Sequence, residues 1–556
     1  MRKPFLDVAE VWHLFCTWQL YFILVPSNEK KSIQLLQDMR KSPPLQGMRL
    51  EEGDGNAVSR AMCSACSRAT LNEKQTLAVQ RGLQRPFSMV QGPPGTGKTS
   101  FLVQFVAALL SAPRRRQGGR ILVCAPSNHA ADHLLDRLIS AGTPPHYMTR
   151  VYSRFIERAH GSMYKGGTTR MERGFDIQPH LEEHALHWKV SEVQQVKFTG
   201  PPLSRDAFDR SYEASEVKVL KDSRIVITTC TTGPRQRPSV LRPVSFDTIV
   251  IDEAAQASEP DIVLPASGPV VTENNLCAPY VSALETPFLE RMLQNPRRWL
   301  SSTMLNMQYR MHPSIRSFPS SQFYESKLED QVCIPHRVEL NCIWPDAKEH
   351  RSFVDCKGSQ SMGLSPELNR TCDAALIESK VSLKNVGEAQ CVVAACKALL
   401  RKSCSARDIA VITPYKAQQH EIRARLERDV GSAAASILVG TVHALQGSER
   451  EYIIVSFVRS ISEDVEDVVS SAVASVGDSV ALQELHMESL GILSDYKLLN
   501  VAITRAKYGL ICVGNADVLS KGSKYFNAFI HSLRSCIVSK EEFLRSARWA
   551  RGRISP

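Results

Sequence analysis

Residues Gly92-Pro93-Pro94-Gly95-Thr96-Gly97-Lys98-Thr99 fit the pattern G-x-x-x-x-G-K-[ST], between an apolar run at 86–91 and a second at 99–112. The pattern restricts the fold because it works only as a turn from a buried strand into a helix. Glycines let the loop curl so that successive backbone N–H groups point inward at an anion, and the helix N-terminus adds partial positive charge. Lys98 then reaches the β and γ phosphates of a nucleotide, and the Thr99 hydroxyl holds magnesium. Such a loop needs an acidic partner at the tip of a neighbouring strand, and Thr248-Ile-Val-Ile-Asp252-Glu253 supplies one. Asp252 is expected at the magnesium, and Glu253 is placed to orient or deprotonate an attacking water. Hydrolysis of a nucleoside triphosphate with Mg2+ is the chemistry this set predicts.

The rest of the chain alternates in the same way. Short apolar runs at 120–125, 224–229 and 246–251 are separated by amphipathic stretches, and a second series follows at 408–413, 436–441, 452–458 and 509–514. Strands buried on both faces and separated by helices indicate parallel sheets. Two series predict two α/β domains, at 71–300 with a helical insertion near 144–222, and at 301–540 with an acidic insertion near 462–488 that reads as a solvated loop or lid. Residues 1–70 have no assigned role, and 541–556 read as a tail.

Composition excludes several classes. The chain has 556 residues, 43% hydrophobic and 22% charged, which is globular rather than disordered or collagen-like. A net charge of +11 suits an anionic partner without demonstrating one. The 15 cysteines are scattered, and several sit inside apolar runs (Cys124, Cys391, Cys396, Cys512), where they read as reduced core residues; Cys63-Ser-Ala-Cys66 lacks a second pair and reads as incidental rather than as a zinc site. Residues 11–25 are too short and too polar for a spanning helix, and no small-residue cleavage site precedes Pro26. They are expected to form a buried helix or a strand pair in a soluble intracellular protein that does not engage membranes.

Further motifs, in order, resemble those of superfamily-1 helicases, in the branch containing the nonsense-mediated-decay helicase and senataxin. Leu71-Asn72-x-x-Gln75 resembles the adenine-reading Q motif, Ala125-Pro-Ser127-Asn128 resembles motif Ia, and Thr228-Thr-Cys-Thr231-Thr232-Gly resembles the loop before the acidic motif. Asn306-Met-Gln308-Tyr309-Arg310-Met-His312-Pro313 matches the segment opening a second RecA-like domain. Asn385-x-x-Glu388-Ala389, Ile412-Thr413-Pro414-Tyr415, Gly440-Thr441-Val-x-x-x-Gln446-Gly447-x-Glu449 and Asn500-Val-Ala-x-Thr504-Arg505-Ala506 complete the set.

The resemblance implies two tandem RecA-like P-loop domains with nucleotide in the cleft between them. It implies arginine fingers at Arg310 and Arg505, adenine stacking by Tyr309, an adenine-edge bond from Gln75 and ribose binding by Glu449. Without it, Arg505 reads equally as a helix-surface arginine and Tyr309 as a core aromatic. It also implies that Ser127, Asn128, Thr231, Pro414, Tyr415 and Thr441 contact the sugar–phosphate of a single strand, with RNA favoured over DNA and movement 5′ to 3′. Protein regulators and either a cytoplasmic or a nuclear location are compatible with it.

The pattern breaks in one place. The family usually carries Gly-Asp-x-x-Gln-Leu-Pro-Pro after the acidic motif, and nothing of that kind appears between Glu259 and Pro287. Losing that strand is expected to leave a gap in a parallel sheet. Either the chain is divergent or incomplete there, or hydrolysis is poorly coupled to movement. His443 and Leu445 stand where the family has Asp and an aromatic, one basic residue is lacking before Asn500, and residues 1–70 show no clear accessory barrel. The rival reading is an ATP-binding pseudo-helicase that clamps nucleic acid or a protein without unwinding.

Overall fold

The computed structural model describes residues 19–24, 71–84, 87–111, 119–154, 156–157, 177–197, 205–232, 241, 244, 246–254, 301–331, 344, 349–357, 361–364, 381–442, 449–460, 490–494 and 496–549. The chain divides after Asn306 into a P-loop unit from Trp18 and a second unit from Met307 to Pro556.

The P-loop unit is built on strands β1 (Gln19–Leu24), β2 (Phe87–Gly92), β3 (Ile121–Ala125), β4 (Met148–Arg150), β5 (Ile225–Thr229), β6 (Thr248–Ile251) and β7 (Ser301–Met304), in the order β4-β5-β3-β6-β1-β2-β7. Helices α1 (Glu73–Gln84), α2 (Lys98–Ser111), α3 (Asn128–Ser140), α4 (Leu186–Lys197) and α5 (Arg205–Asp222) alternate with them. β3 and β5 are buried along their whole length, as strands covered on both faces must be. Phe101, Phe105 and Val106 of α2 pack with Val90, Val123, Ile227 and Val250 of the sheet in one core.

Six of these strands run parallel, and β1 alone runs against its neighbours. It pairs antiparallel with β2 from Gln19↔Gly92 to Leu24↔Phe87, and with β6 from Phe22↔Ile251 to Leu24↔Ile249. The gap expected in the parallel sheet is therefore closed, by a segment that precedes the P-loop strand in the chain. The segment at 11–25 thus contributes a central sheet strand. Two boundaries also shift: Met148–Arg150, inside the expected helical insertion, is a strand of the sheet, and Ser301–Met304 pairs with β2 in the first sheet rather than opening the second domain.

In the second unit, β8 (Met307–Gln308) pairs with β9 (Glu329–Asp330), and β11 (Ser361–Leu364) with β12 (Val381–Lys384). The main sheet has β10 (Arg351–Asp355), β13 (Ile409–Ile412), β14 (Leu438–Gly440), β15 (Arg450–Ser456), β16 (Ala506–Gly514) and β17 (Ile537–Ser539), all parallel, in the order β14-β13-β15-β16-β10-β17. Its helices are α6 (Pro313–Phe323), α7 (Val386–Arg401), α8 (Lys416–Val430), α9 (Tyr496–Ile503), α10 (Ala516–Gly522), α11 (Lys524–Ser532) and α12 (Lys540–Trp549). α12 corrects the expected tail: Phe543 and Ala547 are buried against α7 in the core of this unit. Among the described residues, no helix is long and apolar enough to cross a membrane.

Candidate functional site

β2 and β6 both run antiparallel to β1, so they point the same way, and the loops that follow them leave the same edge of the sheet. That edge carries Gly92–Thr99 and Asp252–Glu253. Gly95 and Gly97 take φ of 79° and 74°, conformations that L side chains resist. At Gly92 a Cβ would overlap the Lys98 side chain. The Thr96 hydroxyl donates to Pro93 O at 2.7 Å and Lys98 Nζ to the same oxygen at 3.0 Å, so hydrogen bonds within the loop itself support its curl.

Gln75 is 3% exposed and forms a reciprocal cap with Asn72. The Gln75 N–H donates to Asn72 Oδ1 at 2.9 Å, and the Asn72 N–H to Gln75 Oε1 at 3.0 Å. Its Nε2 donates to Thr96 O at 3.1 Å, tying the start of α1 to the P-loop. Asp252 is buried, and Glu253 sits at φ 50° with its N–H donating to Asp252 Oδ1 at 2.7 Å. A positive φ in a non-glycine residue marks a position held for a reason other than local preference. The Thr99 hydroxyl and Asp252 carboxylate are hard oxygen donors of the kind magnesium takes. Among the described residues, no cluster of three or more His, Cys, Asp or Glu forms a separate metal site.

In the second unit Arg310, Glu449 and Lys507 converge. Arg310 Nε donates to Glu449 Oε2 at 2.6 Å, and Lys507 Nζ lies 3.1 Å from Glu449 Oε1. Arg310 Nη1 also donates to Thr504 O at 3.0 Å, which joins the start of this unit to the end of α9. Burial alone would raise the Glu449 carboxyl, but Arg310 and Lys507 outweigh it and bring it down to about 2. Tyr309 is 41% exposed, which removes the core-aromatic reading. Arg505 is 3% exposed and its Nε donates to Val501 O at 3.1 Å, so it is not a surface arginine either.

The candidate strand contacts fall at sheet edges in both units. Ser127 caps α3 by accepting from the Ala130 N–H at 3.2 Å, and Thr231 Oγ1 lies 3.2 Å from Thr229 Oγ1 at the tip of β5. Pro414 and Tyr415 follow β13, and Thr441 follows β14. Asn128 is not simply presented: its Oδ1 accepts from Arg150 Nη2 at 2.9 Å. Arg150 is fully buried, pairs with Asp132 at 2.8 Å and lies 4.0 Å from the Tyr152 ring centroid. Arg150 and Lys507 were not found from the sequence. Lys507 lies two residues past Arg505, where its cationic charge beside the motif was a usable signal; Arg150 lies in a stretch with no motif. Gln446, Gly447, His443, Leu445, Cys63, Cys66, residues 259–287 and the acidic insertion at 462–488 lie outside the described residues.

The fold and site define a P-loop protein with two α/β units, one sheet wholly parallel and the other parallel but for β1. A sequence profile described as an AAA domain matches residues 70–199 and 201–269, and a second of the same description matches 284–517. The chain is 30% identical over 484 residues to "Regulator of nonsense transcripts 1 homolog" of Drosophila melanogaster, covering 81% of this chain and 35% of that protein. It is 28% identical to "ATP-dependent helicase upf1" of Schizosaccharomyces pombe, covering 83% and 46%. To "ATP-dependent helicase NAM7" of Saccharomyces cerevisiae it is 27% identical, covering 84% and 44%. The chain belongs to the superfamily-1 helicases, in the branch of the nonsense-mediated-decay helicase, with the tandem RecA-like fold of that family. It spans between about a third and a half of the length of these relatives.

Proposed function

We propose that this chain is an ATP-driven helicase or translocase that moves along a single nucleic-acid strand, with RNA as the favoured substrate and 5′ to 3′ as the direction. The observation that carries the reading is the division of labour between the units. One presents a curled phosphate loop, a buried Asp252 and its half-buried neighbour Glu253 at a single sheet edge; the other pairs Arg310, next to Tyr309 in the chain, with Glu449, and bonds Arg310 to the carbonyl of Thr504, next to Arg505. Lys98 would bind the β and γ phosphates. Thr99 and Asp252 would hold magnesium, which supplies charge neutralisation at the phosphates. Glu253 would take the proton of the attacking water. As the γ phosphate departs, Arg310 and Arg505 would meet its charge, a task that suits a planar guanidinium fork. Tyr309 would stack on the adenine, Gln75 would bond its edge, and Glu449 would accept from the ribose hydroxyls.

Ser127, Asn128, Thr231, Pro414, Tyr415 and Thr441 are small hydroxyl, amide and ring groups. They suit sugar–phosphate contacts that read no sequence.

A second reading has one observation behind it. The strand between the P-loop strand and the acidic strand is β1, antiparallel, with no Gly-Asp-x-x-Gln motif, which favours a chain that binds ATP and clamps a strand without unwinding. Measuring ATP turnover with and without single-stranded RNA, then unwinding of a tailed duplex, separates the two. Stimulated turnover that falls by about a hundred-fold or more in Lys98→Ala and Glu253→Gln is expected, the scale of removing a general base or a key charged contact. Strand binding without any turnover would instead identify the clamp.

A further inference from the structure

β15 ends in a conformation that a branched residue rarely takes. Val458 has φ 72°, and the Arg459 N–H donates to Phe457 O at 2.9 Å, closing a three-residue turn of the uncommon positive-φ type. Such a turn persists only when its surroundings over-determine it. Here they do. The Val458 N–H donates to Glu388 Oε2 at 2.9 Å, the Ser456 hydroxyl donates to the same oxygen at 2.7 Å, and Asn385 Nδ2 donates to Val458 O at 3.4 Å. Glu388 and Asn385 are fully buried at the start of α7. Gln418 of α8 in turn grips Asn385, accepting from its N–H at 2.8 Å and donating to its carbonyl at 3.1 Å. Three elements therefore hold one strained turn.

The turn delivers Arg459. Its Nε donates to the Tyr415 hydroxyl at 2.8 Å, with the guanidinium carbon 5.7 Å from the ring centroid. A Cβ at Gly491 would overlap this guanidinium, so the side chain occupies space that only glycine leaves open. Tyr415 opens α8 immediately after β13, beside Pro414. Arg459 is half-buried, so it keeps access to solvent.

We propose that Arg459 contacts a backbone phosphate of the bound strand, and that Glu388 is a positioning residue that holds the turn presenting it. The proposal rests on the nucleic-acid reading above. A guanidinium held at one nitrogen by a phenol keeps its other donors in a fixed plane, the geometry a phosphate accepts. A contact of this kind reads charge and not base.

The test uses the full chain and fluorescein-labelled oligouridylate and oligocytidylate, with anisotropy read over a series of salt concentrations. Arg459→Ala is expected to weaken both oligonucleotides about ten-fold, the scale of one charged hydrogen bond. It should also make the slope of log affinity against log salt shallower by about 0.7, one phosphate contact on a single strand. Glu388→Ala, which removes the acceptor for Val458 and Ser456, should produce the same two changes in smaller measure, and none when added to Arg459→Ala, since a residue acting through another is non-additive with it. Should Glu388→Ala fail to fold, Ser456→Ala takes its place in the cycle. Unaltered affinity in Arg459→Ala overturns the proposal. So does an affinity loss with an unaltered salt slope, which is how a mere tether for Tyr415 would behave. Wild-type chain that binds no oligonucleotide overturns the underlying functional reading instead.

Discussion

Glu388 and Glu449 show how the same side chain is pushed in opposite directions by its surroundings. Glu449 lies between Arg310 and Lys507 and stays ionised, whereas burial pushes Glu388 up to about 8 despite hydrogen bonds from Val458 and Ser456. In the unfolded chain Glu388 titrates near its ordinary value of about 4.5, so between the two values the folded state holds a proton that the unfolded state has lost. The stability this provides is complete below about 4.5 and disappears as pH rises toward about 8. Glu388→Gln carries no such proton. Its thermal midpoint, measured against wild type at each pH, should gain steadily across that window, and a gap that narrows as pH rises would show the carboxylate to be charged in the fold. At this scale the sequence displays what is contiguous. Lys98, Asp252 and Glu253 could be assigned because a phosphate loop and a strand-tip acid pair are local patterns. The roles of Arg150, Lys507 and Arg459 depend on Asp132, Glu449 and Tyr415, partners that only the folded chain brings together.

At the scale of elements, the runs at 86–91, 120–125, 224–229, 408–413 and 452–458 fall on β2, β3, β5, β13 and β15 within a residue or two, because a strand buried on both faces is a plain apolar run. β1 was legible as a buried apolar segment, either a helix or part of a strand pair. Periodicity cannot say which neighbours a strand will find or in which direction it will run, and here both answers were unexpected. Both edges of β1 are paired over Phe22–Leu24, so every backbone group there has a ladder to join. Proline removes a donor and belongs at sheet edges, not in a central strand. Phe22→Pro is therefore expected to destabilise the P-loop unit by about 3 kcal/mol or more and to weaken ATP binding, whereas Phe22→Val keeps the backbone donor and should do far less. Wild-type melting and ATP affinity in Phe22→Pro would mean that the sheet does not depend on this strand.

For the whole molecule, each unit carries its own core: Phe101, Leu134, Ile227 and Val250 in one, Val354, Leu399, Ile454 and Phe543 in the other. Two cores of this kind were visible as two series of apolar runs, although the exact point of division, after Asn306, was hidden by Ser301–Met304 joining the first sheet. Separate cores predict two steps in calorimetric unfolding. A ligand that binds only the folded state, present at a hundred times its dissociation constant, stabilises what it binds by about 2.7 kcal/mol. If ATP needs Tyr309, Arg310 and Arg505 as well as the P-loop, a slowly hydrolysed ATP analogue with magnesium should raise both transitions. In Arg310→Ala the second unit's transition should move much less while the P-loop unit's still rises. An analogue that shifts only the P-loop unit in the wild-type chain would remove the second unit from the nucleotide site, and the two-arginine account of hydrolysis with it.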